Sequence, residues 1–315
     1  MKDLAIILIG LMLGMAIGSA GAQGAERSAE RGVFARLAAP TNAEATTGRA
    51  EDAAAEAAIA RIAADDTPLA AMETADQSRG YEAVGRLDIG AGTFCTGSLI
   101  SETVVLTAAH CLYDQDTGKR LDDRTITFRA GLRGGRAEAS RSVRRSVVHP
   151  QYDTALANTS ASVASDLALI ELTQPIRKSG ISPFTIHAGA MRGDEVRVVS
   201  YAIDRQDAPS MQEMCHVLGD LDAAQVLSCD IDFGASGAPI FAAPGGVPQI
   251  VSIVAAKARM GGAPVALVAP LGDNLAPLLA QLEASDGVFS RPRPAVQVLP
   301  RDEARRKAGA KFLRP

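Results

Sequence analysis

Between Gly80 and Pro270 the chain alternates short apolar, β-rich runs with clusters of Gly, Pro, Asn and Asp. The runs read YEAVGRLDI, TGSLISETVVLTAAHC, TITFRAGL, RRSVVHPQY, DLALIEL, EVRVVSYAI, QVLSCDI, APIFAAP, QIVSIVAA and PVALVAP. Many of them alternate apolar and polar positions, the period of a strand with one buried face. About ten such runs at this spacing predict an all-β barrel or sandwich. No strand–helix–strand rhythm interrupts them. After the last strand, NLAPLLAQLEA (274–284) shifts to helical spacing, with Pro277 placed in the first turn.

The flanks have different patterns. Lys2 precedes an apolar run from Leu4 to Ile17, too short to span a bilayer comfortably. Ala20-Gly21-Ala22 is a small-residue cleavage site, so residues 1–22 read as a signal peptide. Asp3 weakens the positive start and leaves an uncleaved anchor as the alternative. Residues 23–79 are rich in Ala, Glu, Arg and Thr. RAEDAAAEAAIARIAADD within them has strong helix propensity but a mostly alanine face, which suits a pro-segment or a linker. From Arg291 eight Lys and Arg stand against two acids, so residues 286–315 read as a basic, solvated tail.

Composition narrows the class. The chain has 315 residues and 47% hydrophobic content, enough for a sizeable core. Tryptophan is absent, so aliphatic side chains and alanine must fill that core. A net charge of −4 gives no reason to expect nucleic acid as a partner. Cys95, Cys111, Cys215 and Cys229 make an even count behind an export signal, which suggests disulfides and a secreted or periplasmic location. Three pairings are open. The two local ones would each close a loop of about 15 residues, worth about 3 kcal/mol in the chain-entropy account. The spacings lack the close cysteine pairs of a zinc site, and no metal or organic cofactor is expected.

Three stretches carry candidate chemistry. TAAHC (107–111) places His110 at the end of an apolar run. SDLALIEL (165–172) opens with Asp166 before an alternating strand. DFGASGAPIF (232–241) sets Ser236 between Gly234 and Gly237. Small neighbours let a substrate carbonyl approach the backbone and let the Gly234 and Ser236 amides aim at one point. Each stretch alone also suits a turn.

Together and in this order, TAAHC, DLAL and GASGAP resemble the trypsin-like, chymotrypsin-fold serine proteases. FCTGSLIS ahead of the histidine and VVHPQYD ahead of the aspartate match further family boxes, and the likeness covers roughly residues 80–282. The resemblance implies two six-stranded antiparallel β-barrels with a C-terminal helix, over residues 80–285. It implies a serine endopeptidase in which Ser236 attacks the scissile carbonyl, His110 carries the proton and Asp166 orients His110. It assigns the Gly234 and Ser236 amides to the oxyanion, and it implies a Cys95–Cys111 disulfide beside the histidine. Protein or peptide is then the substrate, with no nucleic acid partner, no stable membrane insertion after signal cleavage, and a monomeric state.

Departures from the family pattern are informative. Ala235 stands where digestive enzymes carry an aspartate that pairs with a new amino terminus, so that activation route is not expected. Ala238 replaces a glycine, and both changes resemble the bacterial V8-like, glutamyl-endopeptidase-type branch. Val254, Ala255 and Ala256 are the candidate strand for pairing with substrate backbone. Asp230 and Lys257 are candidate pocket charges, each with a plain alternative as a turn or strand-end residue. No histidine lies near Val254, so glutamate specificity is not supported. His149, His187 and His216 receive structural readings, with His216 expected in a loop. Two rival classes remain: a protease-fold binding protein without turnover, and an α/β-hydrolase. The latter runs Ser, acid, His and needs a glycine where Ala238 stands.

Overall fold

The computed structural model describes residues 47–90, 92–156, 159–260, 263–284 and 298–299. The expected signal peptide, the first part of the following segment and nearly all of the basic tail lie outside the described residues.

The first described element is a helix, α1 (Thr47–Ile62), where the alanine-rich run predicts one. A two-residue strand, β1 (Ala70–Ala71), leads to six strands: β2 (Val84–Ile89), β3 (Thr93–Leu99), β4 (Val104–Thr107), β5 (Ile126–Ala130), β6 (Ala139–Val148) and β7 (Ala168–Leu172). These six close into an antiparallel barrel in the order β2-β3-β4-β7-β6-β5. A one-turn helix, α2 (Ser160–Ala164), precedes β7. Alternation sets which side chains point inward. In β5, Ile126, Phe128 and Ala130 are buried while Thr127 and Arg129 are only partly so.

The second half adds β8 (Ile186–His187), β9 (Glu195–Ser200), β10 (Ser210–Leu221), β11 (Ala224–Leu227), β12 (Pro239–Ala242), β13 (Gln249–Met260) and β14 (Ala263–Pro270). Strands β12-β9-β10-β11-β14-β13 close on themselves through the β12–β13 pairing, giving the second six-stranded barrel. Helix α3 (Leu275–Ala284) follows and buries Leu275, Leu278 and Leu282. The expected architecture of two six-stranded antiparallel barrels with a C-terminal helix is therefore present. Two residues of the expected solvated tail form β15 (Val298–Leu299), which pairs in parallel with β8.

One of the twelve barrel strands escapes the sequence reading. Strand β10 is 12 residues long, yet its register shifts between Gln212 and Cys215. A bulge inserts an extra residue and breaks the period of two on which a strand is recognised. His216, expected in a loop, is for this reason a buried strand residue.

Candidate active site

Barrel register brings the histidine and the aspartate together. Strand β4 pairs with β7, with Thr107 opposite Ala168. His110 lies three positions after Thr107 and Asp166 two before Ala168, so both leave the sheet at the same end. His110 opens a short 3₁₀ turn, His110–Leu112. The Asp166 carboxylate then grips it twice. Oδ2 accepts from the ring Nδ1 at 2.6 Å, and Oδ1 accepts from the His110 backbone amide at 2.8 Å. The Asp166 side chain is 7% exposed and that of His110 is 22% exposed. Burial by itself lowers the imidazole pKa, but the charge of Asp166 and its hydrogen bond together outweigh this and leave the pKa of His110 raised.

Ser236 reaches the same locus from the second barrel. It lies three residues before β12, in a loop with Gly234 and Gly237 at φ of +95° and +77°. Both glycines are required by space as well as by conformation. A Cβ on Gly237 would run into Thr107 Oγ1 and the Thr96 carbonyl, and one on Gly234 into the Phe94 ring. The Ser236 carbonyl oxygen is 4.0 Å from the Cys111 sulfur. That sulfur, the Cys95 sulfur and a His110 ring nitrogen lie within 4.8 Å of one another. The two sulfurs form the Cys95–Cys111 disulfide, so this cluster holds no thiolate for a metal. The second disulfide joins Cys215 to Cys229.

The loop leaves two amides over. Those of Ala235, Gly237 and Ala238 donate to the carbonyls of Asp232, Val254 and Ala235. Among the described residues, the amides of Gly234 and Ser236 have no hydrogen-bond partner. Two neighbouring uncommitted donors on one loop are what an oxyanion site requires. Ala235 itself is fully buried in the apolar core of the second barrel, with no charge beside the serine.

The candidate substrate strand is mixed in its commitments. Val254 uses its carbonyl and amide to hold Gly237 and Ala238, at 2.7 and 2.9 Å. It serves the serine loop. A bulge lies between Val254 and Ala256, and the pairing of this strand with β12 ends at Ile253. Asp230 and Lys257 line one small cavity of about 160 Å³ with Ser228, Cys229 and Ile231. Lys257 also forms a 3.6 Å ion pair with Asp232, about 40% exposed on both sides, worth at most about 1 kcal/mol.

The remaining histidines take structural roles. His149 is buried, which lowers its pKa. His187 bonds within its own turn through Gly189. His216 Nδ1 meets Asp66 Oδ1 at 2.7 Å, tying the segment after α1 to β10. Sequence reasoning passed over Thr96 and Thr107, whose hydroxyls reach the serine loop or its support. Both threonines sit inside quoted boxes, FCTGSLIS and TAAHC, but nothing local singles them out there.

A family model described as Trypsin matches residues 72–263. The chain is 36% identical over 84 residues to a trypsin of Phaedon cochleariae, covering 26% of this chain and 29% of that protein. It is 34% identical over 95 residues to serine protease 56 of Homo sapiens, covering 30% of this chain and 14% of that protein. The matched stretches thus span less than a third of the length of these curated relatives. Among solved structures, a Glu endopeptidase in complex with MPD shares the fold at a TM-score of 0.57 and 18% identity, covering 71% of this chain and 99% of that one.

Proposed function

The chain belongs to the Trypsin family, and from that premise we propose that it is a serine endopeptidase that cleaves peptide bonds through an acyl-enzyme on Ser236. The observation that carries this reading is the double grip of Asp166 on His110, at 2.6 and 2.8 Å. A carboxylate on Nδ1 fixes the tautomer that leaves Nε2 as an acceptor for the serine proton. His110 takes that proton as Ser236 Oγ attacks, then returns it to the leaving amine. The Gly234 and Ser236 amides receive the developing oxyanion. Export fits the two disulfides and the apolar leader. Among the described residues no helix is long and apolar enough to cross a membrane.

A fluorophosphonate probe tests the reading. Located by mass spectrometry on the purified chain, the adduct is expected at Ser236. Labelling elsewhere, or none after removal of the segment described next, counts against it.

The segment ahead of the barrels acts as a pro-segment in this proposal. Ile59 of α1 is 9% exposed, in one apolar cluster with Val163, Ala164 and Ala255, against which Ala256 packs. Helix α1 lies against β10 and β13. Asp66 binds His216, and Thr67 exchanges hydrogen bonds with Met214. In this reading the segment screens the stretch of β13 assigned to substrate, which its shared cluster with Ala255 supports. Deleting residues 23–65 is expected to raise the labelling rate of Ser236 about tenfold or more, because substrate no longer competes with a tethered cover. The deletion stops short of Met72, which is part of the core. An unchanged rate would make the segment a linker.

A further inference from the structure

Thr96 lies on β3 of the first barrel and is fully buried. Its polar atoms all turn toward the nucleophile loop or its supports. The amide donates to the Ser236 carbonyl at 2.9 Å. The carbonyl accepts from Thr107 Oγ1 at 2.8 Å. The hydroxyl donates to the Gly234 carbonyl at 2.9 Å and accepts from the Tyr201 amide at 3.1 Å. A hydroxyl has one proton to give, so the Tyr201 carbonyl at 3.5 Å competes only weakly for it. Tyr201 is itself anchored, fully buried, with its phenol donating to the Leu132 carbonyl at 2.9 Å.

The geometry points to Thr96 as a positioning residue for the nucleophile, acting from the opposite barrel. Its hydroxyl and its amide hold the carbonyls of Gly234 and Ser236. Those two carbonyls bracket Ala235 and Ser236, so one residue fixes the peptide plane before Ala235 and the plane after Ser236. The loop needs such a clamp because glycines stand on both sides of this pair, and glycine resists reorientation least. The amide bond would survive any substitution. The hydroxyl is the part that residue choice supplies. Without it, the Gly234 carbonyl and the Tyr201 amide both lose a partner in a dry site, and the loop can rotate to find others. Catalysis is sensitive to this, since a misplacement of about 1 Å costs on the order of a hundredfold.

The inference rests on the serine-peptidase reading, and the test separates the two. Thr96→Val keeps the branched shape and removes the hydroxyl; Thr96→Ser keeps the hydroxyl. The full chain and both variants are compared for kcat and KM on a peptide ester, and for amide hydrogen exchange across residues 232–239. Thr96→Val is expected to lower kcat about 10- to 100-fold with KM changed less than about threefold. Thr96→Ser should recover most of that loss. Exchange at Ala235 and Gly237 should quicken in the valine variant and not in the serine variant. A valine variant with wild-type kcat, a loss confined to KM, or a serine variant as poor as valine overturns the proposal. Should the wild-type chain hydrolyse nothing even after removal of residues 23–65, the peptidase reading falls. The exchange experiment then decides alone, and unaltered protection in Thr96→Val overturns the clamp.

Discussion

Replacing Ser236 with alanine is expected to lower kcat about a millionfold while leaving the fold intact. The size follows from the loss of the group that forms the covalent intermediate; in triad hydrolases that single removal costs about as much as removing the whole triad. The fold should survive because what holds this loop is backbone. The Ser236 carbonyl accepts from Thr96, and Gly237 and Ala238 pair with Val254. Alanine keeps each of these and fits the serine's space. The Gly234 and Ser236 amides also remain, so activity should fall to a level still above that of water, set by oxyanion stabilisation and binding. The measurements are kcat on a peptide ester and a melting curve on the same preparation. A variant within tenfold of wild type would place the nucleophile elsewhere. A variant that melts far below wild type would show that the hydroxyl, and not the backbone, organises the loop.

How much of this site is legible in the sequence depends on what each feature needs. His110, Asp166 and Ser236 each sit beside a largely apolar strand inside a quoted box, so family order makes them candidates although 56 residues separate the first two. Spacing leaves three cysteine pairings open; the family likeness implies Cys95–Cys111, and the structure adds Cys215–Cys229. Strand β10 was hidden because its bulge breaks the alternation, and His216 was misplaced with it. The packing of Ile59 was hidden for another reason. A helix with an alanine face predicts little burial, and only the barrel surface opposite it decides whether one isoleucine finds a partner. Thr96 is the clearest case. Its four hydrogen-bond partners, Thr107, Tyr201, Gly234 and Ser236, lie 11, 105, 138 and 140 residues away, and no local pattern marks a threonine for such a place. Strand periodicity reports which face of a residue is buried. It does not report which loop from another barrel meets it there.

Asp166→Asn is expected to lower kcat at neutral pH about ten-thousandfold, with a change in pH profile that a merely damaged fold would not produce. The carboxylate offers two acceptors, one to the ring Nδ1 and one to the His110 amide. Asparagine offers one oxygen and one donor group. If the oxygen stays on the backbone amide, the side-chain NH₂ faces Nδ1 and favours the tautomer with the proton on Nε2. That nitrogen must be free to accept from Ser236, so the base is present but wrongly protonated. The pKa should move as well, and its sign can be worked out. Burial lowers the pKa of His110, whereas the charge and hydrogen bond of Asp166 raise it to a net increase. Removing the charge leaves burial as the dominant influence, so the imidazole pKa falls. The acid limb of kcat/KM, which reports the free enzyme's base, should therefore shift to lower pH even as the plateau collapses. A profile over pH 4 to 9 on both proteins provides the check. A limb that shifts upward, or a plateau within tenfold of wild type, would mean that Asp166 neither charges nor orients His110 as the 2.6 Å contact implies.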